Sequence, residues 1–156
     1  MLNLQPETLE QMYAHARSDF PEECCGVILH DADRQEFVRR CRNIQNAQHQ
    51  RDPGTYPRDA RTAYLMHPDD LLAVHKEAET QHRPIKAFYH SHPNHKAYFS
   101  EKDKADAFLK EWDMPAYPGA AYVVISVYGS EIRDVKAFSW DETDADFVEV
   151  PVQKTQ

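Results

Sequence analysis

Residues 84–103 read Pro-Ile-Lys-Ala-Phe-Tyr-His-Ser-His-Pro-Asn-His-Lys-Ala-Tyr-Phe-Ser-Glu-Lys-Asp. The first nine have the composition of a strand, in which alternate side chains face opposite ways, so Phe88, His90 and His92 share one side and Ala87, Tyr89 and Ser91 the other. Ser100 then stands where a helix cap belongs, with Asp103 three residues on at N3 and Ala105, Phe108, Leu109 and Trp112 following at helical spacing. The order is strand, loop, helix start. Two imidazoles on one strand face can reach a single ion, and a carboxylate at the start of the next helix can complete three protein ligands. Three ligands leave one position open, which marks a catalytic rather than a structural zinc site.

Upstream, Pro6 opens a helix in which Leu9, Met12, Tyr13 and Ala16 recur at i, i+3, i+4 and i+7. CCGVILH from Cys24 and QEFVRRC after the Asp31-Ala32-Asp33 turn read as a hairpin. Residues 42–59 show no period, carry two prolines and a Pro-Gly turn, and read as a long loop of the kind that serves function. RTAYLM reads as a strand, and Pro68 opens a helix with Leu71, Val74, His75, Ala78 and His82 on one face. Downstream, AYVVISVY and IRDVKAFSW flank Gly129-Ser130 as a second hairpin, and DFVEVPV adds an edge strand.

The 156 residues suit one domain spanning 1–156, with 41% apolar residues to fill a core. No apolar run is long enough for a membrane helix and the amino terminus has no secretory pattern, so the expectation is a cytoplasmic protein without membrane contact. Three cysteines, two of them adjacent, make a poor disulfide framework and point to reduced thiols. The formal charge is −8 with Lys and Arg dispersed, which excludes nucleic acid as a partner. That charge suits either plain solubility or a basic protein partner.

His90-x-His92-Pro93, six residues, then Ser100-x-x-Asp103 arises by shuffling this composition with a chance on the order of 10⁻⁴, so coincidence is a weak explanation. The string resembles the signature of the JAMM metalloproteases, also called MPN+: His-x-His-Pro, a variable gap, then Ser-x-x-Asp, with a glutamate on an earlier strand. Pro21-Glu22-Glu23-Cys24-Cys25-Gly26 resembles the family's Glu-x-Cys-Gly segment, and YVVISV its later central strand, so the likeness spans nearly the whole chain.

The resemblance implies an α+β fold, with a central mixed, curved sheet of about six strands flanked by helices, of the cytidine-deaminase-like MPN type. It implies His90, His92 and Asp103 as ligands of one Zn2+ per chain, Glu23 as general acid/base and Ser100 as the donor that assists the oxyanion. Glu22 competes with Glu23, because a one-residue shift of the strand exchanges the two carboxylates. Cys25 shares a face with Glu23 and either lies near the metal or fills the core. His95 falls in the variable gap, which suits surface or substrate contact better than ligation.

The ECCGVI and HSHP blocks resemble free-standing bacterial members thought to act on ubiquitin-like sulfur-carrier proteins. The resemblance implies cleavage of the amide after a Gly-Gly terminus, for example to release cysteine, with the loop at 42–59 as a candidate wall of the substrate channel. The alternative function is a non-catalytic MPN-type scaffold, against which the full ligand set argues. The oligomeric state is not encoded in any feature of the sequence.

Overall fold

The computed structural model describes residues 1–155, beginning with β1 (Leu2–Leu4), α1 (Pro6–Asp19), β2 (Cys25–His30) and β3 (Glu36–Cys41). Next come α2 (Gln45–Arg51), α3 (Pro68–Thr80), β4 (Ile85–Pro93) and α4 (Glu101–Asp106). Two short strands, β5 (Phe108–Leu109) and β6 (Met114–Pro115), precede β7 (Ala121–Tyr128), β8 (Glu131–Asp141), β9 (Asp146–Val150) and β10 (Val152–Lys154).

Six strands form one mixed sheet in the order β3-β2-β4-β7-β8-β9. Only β4 and β7 run parallel; the other four pairings are antiparallel. A parallel step cannot be closed by a tight turn, so the chain crosses over between them. That crossover, residues 94–120, carries Ser100 and Asp103 back past the end of β4 that holds the histidines. Helices cover both faces of the sheet. Leu9, Met12 and Ala16 of α1 pack with Ile28, Tyr89, Val123 and Ile125 on one side. Val74 of α3 packs with Val27, Leu29, Phe88, Phe99 and Val124 on the other. Because β7 lies between the two cores it reads as a continuous buried run with no polar alternation. No helix among the described residues is long and apolar enough to cross a membrane.

Gly26 has a specific packing duty. The Tyr89 ring lies across it, and a Cβ built there would fall closer than 3.0 Å to two ring carbons and the hydroxyl oxygen of that tyrosine. Tyr89 is buried and shares a 2.7 Å hydrogen bond with His15 Nδ1 from α1.

Both predicted hairpins, the opening helix and the helix at Pro68 are present. Four local expectations are corrected. Residues 42–59 contain α2, which has no apolar stripe and is held by side chains: Asn43 Oδ1 accepts from the Gln45 amide at 3.0 Å, and Gln45 Nε2 donates to the Arg58 carbonyl at 2.9 Å. RTAYLM is not a strand and makes a single bridge, Asn43 to Met66, because the Asn43 side chain occupies the Ala63 carbonyl and the Leu65 amide. The helix after Ser100 ends at Asp106; Phe108 leaves the helical path to pack on Trp140, and Trp112 is 75% exposed. His82 lies beyond the end of α3 with φ 55°, off the helical face. The sequence reading also missed β1 and β10, which pair in parallel.

Candidate metal centre

The β2–β4 register places Cys25 opposite His90, with the Ser91 amide donating to the Cys24 carbonyl at 3.1 Å just beyond it. Continued by one more pair, this register sets Glu23 opposite His92, on the sheet face that His90 and His92 share. The Cys24 amide donates to Ser91 Oγ at 2.8 Å and locks this alignment from the other face. The backbone of Glu23 is fixed as well: its amide donates to the Ala60 carbonyl at 2.7 Å, and its carbonyl accepts from Asn43 Nδ2 at 2.9 Å. Glu22 points elsewhere and accepts from Asn46 Nδ2 at 2.7 Å, so Glu23 is the carboxylate that lines the cavity.

From the crossover, α4 begins with a complete capping box. Ser100 Oγ accepts from the Asp103 amide, and the Ser100 amide donates to Asp103 Oδ2, both at 3.0 Å. The cap therefore aims the Asp103 carboxylate at the strand. Asp103 Oδ2 lies 3.2 Å from His90 Nε2 and 3.3 Å from His92 Nε2, and the two ring nitrogens are 3.1 Å apart. A Glu23 oxygen and one ring nitrogen of each histidine also lie within 4.8 Å of one another. All four residues are at most 6% exposed, and Ser100 is half-buried.

This triangle suits a metal ion. His92 Nδ1 sits 3.0 Å from the Lys96 carbonyl, which can only accept, so in the neutral ring the proton is on Nδ1 and Nε2 presents a lone pair. Two acceptors, His92 Nε2 and Asp103 Oδ2, then face each other, and His90 Nε2 has one proton to offer both. A cation at the centre satisfies all three. For bonds of roughly 2.0–2.1 Å, a tetrahedral zinc site has ligand-to-ligand edges of about 3.3–3.4 Å, close to the three separations found.

The electrostatics agree. Burial lowers the His90 pKa, against the opposing pull of Asp103, which favours the neutral ring that a metal requires. For Asp103, burial works to raise the pKa, but its close approach to the His90 and His92 rings and the Ser100 amide overcome it and hold the carboxyl below the usual range. Glu23 is pushed up to about 9, first by burial and then by the Asp103 charge.

The cavity beside these groups measures about 270 Å³ and is lined also by Arg58, Thr62, His95 and Tyr98. Tyr64 stacks on His90 with ring centroids 4.6 Å apart, and Tyr98 meets His92 edge-on at 5.0 Å. Sequence reasoning found Glu23, His90, His92, Ser100 and Asp103, and the structure brings all five together. It also left His95 off the ligand set; His95 is exposed at the cavity wall. Cys25 is fully buried in the core with its thiol directed at the Cys41 carbonyl, and burial pushes its pKa up. Asn43, Arg58 and Tyr64 were missed, because no spacing rule marks a residue that acts from a loop.

The family described as prokaryotic homologs of the JAB domain matches residues 5–141. This chain belongs to that family. Among curated relatives, the JAB-domain chain is 29% identical over 117 residues to the tail tip assembly protein K of Escherichia phage N15, covering 74% of this chain but only 41% of that protein. It is 26% identical over 132 residues to the desampylase of Haloferax volcanii, covering 82% of each. It is 27% identical over 140 residues to the CysO-cysteine peptidase of Mycobacterium tuberculosis, covering 88% of this chain and 82% of that one. Solved structures share the JAB fold. A Desulfitobacterium hafniense protein superposes with a TM-score of 0.69 at 22% identity, over 100% of this chain and 94% of the other. A JAB1/MPN domain protein from Archaeoglobus fulgidus gives 0.50 at 14% identity, over 99% and 100%.

Proposed function

We propose that the chain is a zinc-dependent amide hydrolase that cleaves after the Gly-Gly terminus of a ubiquitin-like or sulfur-carrier protein. His90, His92 and Asp103 hold the metal, Glu23 moves the proton and Ser100 assists the developing negative charge. The observation that carries this reading is the triangle of His90 Nε2, His92 Nε2 and Asp103 Oδ2 at 3.1–3.3 Å, with buried Glu23 beside it. Two relatives whose names describe peptidase-type activity, the desampylase and the CysO-cysteine peptidase, support the substrate class.

When bound, zinc supplies Lewis acidity toward a carbonyl oxygen and acidifies a water at its open position. The protein's own groups do the rest. Glu23 has an oxygen within 4.8 Å of the His90 and His92 ring nitrogens, close enough for a carboxylate to take a proton from water and return it to the departing amine. Ser100 Oγ already accepts from the Asp103 amide, but its hydroxyl proton has no acceptor among the described residues and remains available to an oxyanion. Tyr98 and Arg58 line the cavity of about 270 Å³, and a tail of glycines needs the least room there.

The test is incubation of the zinc-loaded protein with a carrier extended by one residue after Gly-Gly, followed by mass spectrometry. A mass loss equal to that residue, abolished by chelator and restored by zinc, is expected. An intact conjugate in every condition contradicts the proposal.

A further inference from the structure

Arg58 is the one Lys or Arg among the residues lining the cavity that holds Glu23, His92, Ser100 and Asp103. Its side chain is exposed and nearly unengaged. Nη1 donates to the Thr62 carbonyl at 3.5 Å, the outer limit of a hydrogen bond, and it makes no ion pair among the described residues. Arg39, Arg42 and Arg83 are each matched to a carboxylate at 2.7–2.9 Å, whereas Arg58, like Arg34, Arg40 and Arg61, has no carboxylate partner among the described residues; of these it alone lines the cavity. Lys102, whose charge acts on the Glu23 carboxyl more than that of Arg58, does not line the cavity and is held by Asp106. Arg58 therefore brings a planar fork of donors to the cavity with no internal acceptor for its charge.

The backbone beneath this fork is held with care. The Arg58 carbonyl accepts from Nε2 of Gln45, a side chain only 2% exposed, at 2.9 Å. Two residues on, the Ala60 amide donates to Asn46 Oδ1 at 2.7 Å, and the Ala60 carbonyl accepts from the Glu23 amide at 2.7 Å. Arg58 is thus mounted on the same short segment that fixes Glu23, and its charge is among those that act on the Glu23 carboxyl. Because Glu23 hands its proton to the departing amine, the leaving group lies on the Glu23 side of the scissile bond, within the cavity that Arg58 also lines.

When the leaving group is a single amino acid, its α-carboxylate stands two bonds from that amine. When the leaving group is a lysine side chain in a second protein, no carboxylate is near. We infer that Arg58 is a specificity-determining residue that binds the free α-carboxylate of a one-residue leaving group. The cavity thereby selects carrier adducts bearing one terminal amino acid over isopeptide links between proteins. This inference rests on the reading of the site as an amide hydrolase, and it adds which amides are taken.

The test uses two versions of one carrier ending in Gly-Gly-X, identical except that X carries a free carboxylate or a carboxamide. Wild type is expected to prefer the free acid in kcat/KM, chiefly through KM. Arg58→Gln is expected to reduce that preference at least tenfold, and Arg58→Lys to retain part of it. An Arg58→Gln variant with undiminished preference, or a wild type that does not distinguish the two, overturns the inference.

A second arm measures binding without turnover, by fluorescence anisotropy of the two labelled tails on zinc-loaded Glu23→Gln protein. Tighter binding of the acid, lost when Arg58→Gln is added, supports the role. Equal binding of the two tails, or binding of neither, overturns it. Absence of hydrolysis combined with an Arg58-dependent preference in binding would sink the hydrolase reading while sustaining this one.

Discussion

Replacing Gly26 by alanine tests how the strand that carries the histidines is seated. The new Cβ would lie closer than 3.0 Å to Cε1, Cζ and Oη of Tyr89, where relaxed contacts between heavy atoms are about 3.5–4.0 Å, so the ring must retreat by roughly 0.5–1 Å or more. It has nowhere easy to go. Tyr89 is 1% exposed, packed among α1 and the sheet, and tied by its hydroxyl to His15 Nδ1. Overpacking a core of this kind costs about 1–3 kcal/mol, and loss of the buried tyrosine hydrogen bond adds about 1 kcal/mol. The expected total is about 2–4 kcal/mol, read as a lower midpoint in urea at unchanged slope. Because His90 follows Tyr89 directly on β4, zinc affinity should fall with it. Adding Tyr89→Leu, which vacates the ring position, should recover part of the loss. A Gly26→Ala protein as stable as wild type, binding zinc equally well, refutes the packing argument.

In the metal-free protein Glu23 holds its proton up to about pH 9, whereas in the unfolded chain it ionises near 4.5. Below pH 4.5 both states are protonated and nothing is lost; above it only the unfolded chain releases the proton, so folding stability falls as pH rises toward 9. Relative to Glu23→Gln, chelated wild type should therefore lose up to about 1.4 kcal/mol per pH unit across that window in urea titrations, and a pH-independent difference would contradict the shift. Asn43→Ala removes the amide group that bonds the Glu23 and Ala63 carbonyls and the Gln45 and Leu65 amides. A loss of about 2–4 kcal/mol and a marked fall in kcat are expected from denaturation and steady-state assays. Ser100→Ala removes both a cap and a donor, so about 1 kcal/mol of stability and roughly 10²- to 10³-fold in rate should go together; Ser100→Thr should restore the cap.

The centre was legible in the sequence because each of its parts obeys a local rule. Strand alternation puts His90 and His92 on one side, and a Ser-x-x-Asp start fixes where Asp103 points. The choice between Glu22 and Glu23 was not local: it depends on the cross-strand register, set by Cys25 opposite His90 and by the bond from the Cys24 amide to Ser91 Oγ. Residues 42–66 were opaque because their order comes from Asn43, Gln45 and Asn46 bonding to distant backbone, which leaves no period in the sequence. The spacing of Phe108 and Trp112 matched a helix, yet packing of Phe108 on Trp140 outweighed that propensity.

The ligand set itself is open to one direct measurement: zinc per chain, by elemental mass spectrometry after dialysis, for wild type, Glu23→Gln and Asp103→Ala. Near-stoichiometric zinc is expected in the first two and strongly reduced zinc in the third, since Asp103 Oδ2 is a corner of the triangle and Glu23 is not. A wild type that takes up no zinc, or an Asp103→Ala protein that retains all of it, would contradict the account.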